Sequence, residues 1–81
     1  MAEVHLWSGL RELTGGATIV EIDGATVGAV LDALVAAHPG LRPVIEAGVS
    51  VAVDGELVHG DRSAEVPPDA EVFLMQRLKG G

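Results

Sequence analysis

The sequence predicts an α+β fold, a roll in which a mixed sheet of four to five strands wraps around one main helix. Three observations support this prediction: strand-like alternation near both ends of the chain, one long amphipathic stretch between them, and an Asp54-Gly55 pair between two β-forming runs. A chain of 81 residues fits one domain, and the absence of cysteine excludes disulfides and thiolate metal sites.

The predicted elements follow the order β-β-α-short α-β-β-β. Thr26 is a good N-cap, and after it apolar residues recur at i, i+3, i+4, i+7 and i+8, which predicts a helix of about three turns. His38-Pro39-Gly40 ends that helix. A short helical turn is predicted over 41–47, and strands over 3–8, 17–23, 49–53, 56–58 and 71–76.

Residue parity divides the strands into two faces. Facing the helix we expect a core of Val4, Leu6, Val20, Ile22, Val51, Val53, Val72 and Leu74 against Val27, Val30, Leu31, Leu34 and Val35. The opposite parity places His5, Trp7, Phe73 and Met75 on the outer face, and exposed aromatic residues and methionine are typical interface anchors. The alternative is that Trp7 packs under the loop at Pro67-Pro68.

Charge and composition limit the classes of partner. The net charge is −7, which disfavours nucleic acid and anionic membranes and favours a basic protein partner. No stretch approaches the ~20 apolar residues of a membrane span, and the N-terminus lacks the basic region of a signal peptide, so we expect a cytoplasmic protein. The histidines His5, His38 and His59 are isolated without metal-ligand spacing, so no metal site is predicted.

The last five residues, Arg77-Leu78-Lys79-Gly80-Gly81, form a distinct segment. Glycine is a poor end for a packed element, because it has no side chain to bury and loses much conformational freedom on folding. Gly80-Gly81 instead gives a thin thread able to enter a channel too narrow for a Cβ atom. We therefore predict a domain over 1–76 and a flexible reactive tail over 77–81, with the Gly81 carboxylate as the working group.

Besides the terminal Gly80-Gly81, five motifs spread along the chain are informative: Leu10-Arg11-Glu12-Leu13-Thr14-Gly15, Thr26-Val27-Gly28, His38-Pro39-Gly40-Leu41, Val51-Ala52-Val53-Asp54-Gly55-Glu56 and Pro67-Pro68-Asp69-Ala70-Glu71-Val72. By these motifs the whole chain resembles the ubiquitin-like β-grasp sulfur carriers, the family that contains the small subunit of molybdopterin synthase and the thiamine sulfur carrier, and the motifs are most similar to that small subunit. The small subunit usually has a Pro-Pro segment before its Gly-Gly, whereas Gln76-Arg77-Leu78-Lys79 here looks more like the Leu-Arg-Leu-Arg-Gly-Gly tail of ubiquitin.

The resemblance implies a carrier rather than an enzyme. An ATP-dependent activating enzyme would adenylate Gly81, and a sulfurtransferase would convert it to a thiocarboxylate that supplies sulfur to an acceptor enzyme subunit. No cofactor would be bound, since ATP belongs to the activating partner. Arg77 and Lys79 would give two cationic contacts beside an apolar anchor, Leu78. Two alternatives remain: a protein modifier joined through Gly81 to target lysines, and a non-reactive β-grasp interaction module.

Overall fold

The computed structural model describes residues 1–58 and 61–76 as one mixed sheet packed on helices. The strands are β1 Ala2–His5, β2 Ile19–Ile22, β3 Val49–Val53, β4 Glu56–Val58 and β5 Glu71–Gln76, and the α-helices are α1 Val27–Ala37 and α2 Arg42–Ala47. The strand order across the sheet is β2-β1-β5-β3-β4, which confirms the predicted mixed sheet.

The two hairpins meet through the last strand. β1 pairs antiparallel with β2, and β3 pairs antiparallel with β4, whereas β5 lies between the hairpins, parallel to β1 and antiparallel to β3. The predicted Asp54-Gly55 turn is confirmed. Asp54 and Gly55 have φ values of 50° and 87°, and positive φ at both central residues matches the twist of a two-residue hairpin. The first and last strands of the chain are therefore neighbours at the centre of the sheet.

Helix α1 begins as predicted at the Thr26 N-cap. The Thr26 hydroxyl accepts a hydrogen bond from the backbone N–H of Ala29 at 3.1 Å, which satisfies one of the helix's free donors. The helix buries one stripe against the inner face of the sheet. Val35 is an exception to the predicted stripe: it is only half-buried, because it lies in an open groove between α1 and α2. Within the described ranges, neither helix is long and apolar enough to cross a membrane.

The predicted core is confirmed at all but two of its positions, Val35 and Val20. Val20 is half-buried because β2 is an edge strand, and the edge of the sheet is less completely covered than its centre. The core also takes in residues outside the predicted set: Ala2, Leu10, Leu41, Val66 and Ala70 are buried.

The first strand is shorter than predicted. It ends at His5, and Ser8–Thr14 forms a 3-10 helix in place of an irregular connection. Buried Leu10 anchors this helix, while the Thr14 hydroxyl donates to the Ala17 carbonyl at 2.7 Å. Gly15 then ends it in the left-handed region with φ of 69°, where glycine has no steric penalty. A second 3-10 helix, Pro39–Leu41, leads into α2.

The segment over 61–66, which precedes β5, runs along the start of α1. The backbone N–H groups of Val27 and Gly28 donate to carbonyls of this segment, and Arg62 donates to Asp32 of α1 at 2.8 Å. At the N-terminal end of this segment, the hydroxyl of Ser63 donates to the Asp61 carboxylate at 2.6 Å, and the backbone N–H of Ser63 donates to the same carboxylate at 2.9 Å. These two bonds lower the pKa of Asp61 below its ordinary value.

Candidate functional site

The outer face of the sheet carries a continuous row of cross-strand neighbours, which we call the outer-face row. It crosses all five strands, because each member pairs with the next in the register of the ladder. The row consists of Ile19, His5, Phe73, Ala52 and Leu57. Ile19, Phe73 and Leu57 are exposed by 51%, 40% and 50% respectively, so the row places large apolar side chains in solvent.

The centre of the outer-face row is a stacked ring pair. The rings of His5 and Phe73 lie parallel within 15°, with centroids 4.3 Å apart. The two residues are also register partners in the parallel β1/β5 pairing. The stack fixes both rings at the middle of the sheet, so this part of the surface is preorganised. Preorganised aromatic surface favours binding because less side-chain freedom is lost on association.

Trp7 borders the outer-face row beyond the end of β1. It is half-buried, packs against the core and shares a shallow groove with His5, Thr18 and Phe73. Its indole also covers Gly9, where an added Cβ would lie 3.1 Å from Nε1. The parallel pairing of β1 with β5 starts at Glu3 and Glu71, so Pro67-Pro68 precede one end of the pair and Trp7 follows the other. The structure therefore does not support the alternative in which Trp7 packs under the Pro67-Pro68 loop.

Met75 lies on the same outer face, one step further along β5 from Phe73. It is exposed by 36% and pairs with Ser50 of β3. The structure thus brings together His5, Trp7 and Phe73 in one groove and places Met75 beside it. Sequence parity did not identify Ile19, Ala52 and Leu57 as part of this surface, although the Asp54-Gly55 turn fixes the register that sets Ala52 opposite Leu57.

A row of carboxylates lies next to the outer-face row, at the start of β5. Glu21, Glu3 and Glu71 are cross-strand neighbours on β2, β1 and β5, and all three are exposed. We call them the acidic row. Glu71 is at the start of β5, whereas Met75 and Gln76 are at its end. Along the chain, the apolar part of the outer face is therefore nearer to 77–81 than the acidic row is.

The predicted tail residues Arg77, Leu78, Lys79, Gly80 and Gly81 lie outside the described residues. Their predicted roles, and the division of the chain into a domain over 1–76 and a reactive tail, stay predictions. What the structure describes is the strand that leads to them and the surface beside it.

Comparison with known proteins gives the family. The family model of ThiS matches residues 4–81. The chain belongs to the ThiS family. The ubiquitin-like β-grasp carrier and modifier family indicated by the sequence motifs is thereby confirmed.

This ThiS-family chain is 37% identical over 82 aligned positions to small archaeal modifier protein 1 of Haloferax volcanii, covering 82% of this chain and 94% of that relative. A chain in the crystal structure of the Amycolatopsis orientalis BexX/CysO complex is 29% identical with a TM-score of 0.81, and the match covers 100% of both chains. CysO of Mycobacterium tuberculosis shares the fold, with a TM-score of 0.85 at 22% identity over 96% of this chain and 100% of that chain. The Haloferax volcanii relative of this ThiS-family chain is thus, by its name, a small modifier protein.

Proposed function

We propose that this chain is a sulfur carrier whose C-terminal Gly81 is adenylated by an ATP-dependent activating enzyme and then converted to a thiocarboxylate. The observation that carries the proposal is the family match, which runs to residue 81 and therefore includes Gly80-Gly81. The thiocarboxylate would donate sulfur to the synthesis of molybdopterin or a similar cofactor, or to tRNA thiolation.

The proposed chemistry takes place at the backbone carboxylate. An oxygen of the Gly81 carboxylate attacks the α-phosphorus of ATP, and pyrophosphate leaves. A sulfurtransferase persulfide then attacks the acyl carbon and expels AMP, and a second thiol cleaves the resulting S–S bond to leave the thiocarboxylate and a disulfide. Adenylation is needed because a carboxylate is unreactive at neutral pH. The partner enzymes supply the acid and base groups, so no side chain of this chain has to supply one.

Two surfaces would bind the partners. The outer-face row, with Trp7 and Met75 beside it, gives an exposed apolar surface of the kind that marks an interface on a small domain. The tail would supply Arg77, Leu78 and Lys79 as further contacts. The crystal structure of the Amycolatopsis orientalis BexX/CysO complex, which contains a chain similar to this one, supports a protein partner.

A second candidate function is protein modification, in which Gly81 forms an isopeptide bond with a target lysine. The specific observation in its favour is the 37% identity to a relative that is named a small modifier. Lys79 is the only lysine of the chain, so chains of linked copies have almost no attachment site. The two functions share the activation step and differ in the nucleophile that follows.

The test is intact-mass spectrometry of the full chain after incubation with ATP, a sulfide source and host extract. We expect a gain in mass equal to the replacement of one oxygen by sulfur. Oxidation of Met1 or Met75 would add nearly the same mass. Iodoacetamide distinguishes the two at neutral pH, because the chain has no cysteine and a thiocarboxylate is the nucleophile that the reagent would alkylate. The untreated mass also reports whether Gly81 is the terminal residue.

The matched control is the chain extended by one alanine after Gly81, in which the same fold carries a blocked Gly81. We expect this variant to gain neither the sulfur mass nor the alkylation. Alkylation of the extended variant at the level of the natural chain would overturn the proposal. Adducts on target lysines without a thiocarboxylate would favour the modifier, and the absence of both products would leave an interaction module.

A further inference from the structure

The parallel pairing of β1 with β5 brings together three side chains of the metal-ligating kind. Glu3 and Glu71 are register partners, and His5 lies two residues after Glu3 on the same face. The His5 Nε2 atom is 3.5 Å from Oε1 of Glu3 and 3.8 Å from Oε2 of Glu71. One ligand atom from each residue lies within 4.8 Å of the other two.

Within the described part of the chain, the imidazole of His5 has a ring nitrogen without a hydrogen-bond partner at this point. Its Nε2 atom is buried and has no hydrogen-bond partner among the described residues, although 20% of the side chain is exposed. The stack on Phe73 holds the ring in place, with Nε2 at 3.5 Å and 3.8 Å from the nearest oxygens of the two carboxylates. A buried polar atom without a partner costs free energy, and a metal ion bound to Nε2 would remove that cost.

The carboxylates have an unfavourable arrangement of their own. Glu3 lies directly opposite Glu71 on one side and Glu21 on the other, and like charges in directly opposed strand positions destabilise a sheet. His5 is the nearest basic group to Glu3 and Glu71 in the described salt bridges. A divalent cation would relieve this repulsion.

We propose that Glu3, His5 and Glu71 form a binding site for a divalent transition metal of the zinc class. Metal–nitrogen and metal–oxygen bonds of about 2.0–2.2 Å at tetrahedral angles place ligand atoms about 3.3–3.6 Å apart. The His5–Glu3 distance already lies in that range, and the His5–Glu71 distance has to shorten by a few tenths of an ångström. The exposed glutamate side chains supply that adjustment by rotation. An imidazole together with two carboxylates suits zinc, whereas magnesium and calcium prefer oxygen ligands alone.

Three protein ligands leave the fourth position of the ion open to water or to a group from another molecule. The site is at the border between the acidic row and the outer-face row, and His5 belongs to both the site and the outer-face row. The sequence alone predicts no metal site, because Glu71 joins His5 only through the pairing of the first strand with the last. The proposal is independent of the chemistry at Gly81.

Isothermal titration of zinc chloride into the untagged full chain tests the site. We expect one ion per chain, and at least about a tenfold loss of zinc affinity in His5→Gln and in Glu71→Gln. Mutating a residue that only hydrogen-bonds to a metal ligand already lowers metal affinity about tenfold or more, and these two substitutions replace proposed ligands themselves. The matched control is Glu21→Gln, which removes the same charge from the acidic row without touching the proposed ligands. We expect its affinity to change by no more than about twofold, in line with screening of exposed charges.

Cobalt gives a second readout that general electrostatic attraction would not produce. Bound Co²⁺ should show intense visible absorption of a four-coordinate ion in the natural chain and in Glu21→Gln, and this absorption should be lost in His5→Gln. Circular dichroism checks that each variant is folded. The proposal is overturned if the natural chain binds no zinc, if His5→Gln binds as tightly as the natural chain, or if Glu21→Gln loses as much affinity as Glu71→Gln.

Discussion

Phe73 and Leu74 are adjacent residues of β5 that point to opposite faces of the sheet, and truncating each in turn separates binding from folding. Phe73 is 40% exposed in the outer-face row, whereas Leu74 is buried in the core. We expect Phe73→Ala to weaken partner binding while leaving most of the stability, and Leu74→Ala to unfold more easily.

The expected magnitudes follow from burial. Leu74→Ala removes buried methyl groups and leaves a cavity, which costs about 2–5 kcal/mol. Phe73 buries roughly three-fifths of its surface and has solvent on its open side, so no enclosed cavity forms. Its truncation loses only part of the transfer free energy of a phenylalanine, about 1–2 kcal/mol. For a domain of this size, each kcal/mol lowers Tm by about 4–8 °C.

Urea denaturation monitored by far-ultraviolet circular dichroism gives the two free energies of unfolding. Trp7 is the only tryptophan, but it shares a groove with Phe73, so its fluorescence reports on the substitution as well as on unfolding. Binding is then measured by titration of the proposed activating enzyme from the same organism with each variant. If Phe73 is an interface anchor, its truncation should cost about 2 kcal/mol of binding, roughly a thirtyfold loss of affinity.

Two results would refute this reasoning. An equal loss of stability in Phe73→Ala and Leu74→Ala would show that the outer-face row supports the fold rather than a partner. Unchanged affinity in Phe73→Ala, with Leu74→Ala folded and binding normally, would show that the partner docks elsewhere.

Two further predictions concern the start of α1 and use the same denaturation assay. Thr26→Ala should cost about 1 kcal/mol, because it removes the acceptor for the Ala29 N–H, and Thr26→Ser should restore most of that loss; equal losses in both would contradict the capping role. Gly24→Ala should cost roughly 2–3 kcal/mol, since its Cβ would lie 2.8 Å from the backbone nitrogen of Val30. The control is Gly40→Ala, whose Cβ would meet its nearest neighbour at 3.5 Å, and a Gly24→Ala variant as stable as this control would show that the close approach relaxes freely.

Local sequence signals predicted most of the fold because several elements here carry their own determinants. The apolar stripe after Thr26 defines α1, and the Asp54-Gly55 pair defines the turn between β3 and β4. The short turn predicted at 41–47 corresponds to Leu41 and α2, whose C-cap is Gly48 with φ of 110°. Each of these features depends on residues close together in the chain.

Features set by distant pairing were less predictable. Strand alternation continues through Leu6 and Trp7, yet the chain leaves the sheet after His5 because the 3-10 helix begins at Ser8. Nothing local indicates that β1 is parallel to β5, and the cluster of Glu3, His5 and Glu71 exists only through that pairing. Parity places His5, Phe73 and Met75 on the outer face, as the structure does, whereas Trp7 lies beyond the end of β1 and packs against the core. The full extent of the outer-face row follows only from the strand order.

The position of Phe73 in β5 limits how far Gly81 can lie from the outer face. Phe73 lies at the centre of the face, and eight further residues reach Gly81 along the chain. A fully extended chain spans at most about 3.3–3.6 Å per residue, so Gly81 cannot lie more than roughly 26–29 Å from Phe73. A partner that binds the outer-face row therefore holds the Gly81 carboxylate within that radius, which raises its effective concentration at any reactive centre inside it. If Gly81 is the reactive group, as proposed, a partner docked on the outer-face row would find it within reach, and the partner would supply the acid and base groups.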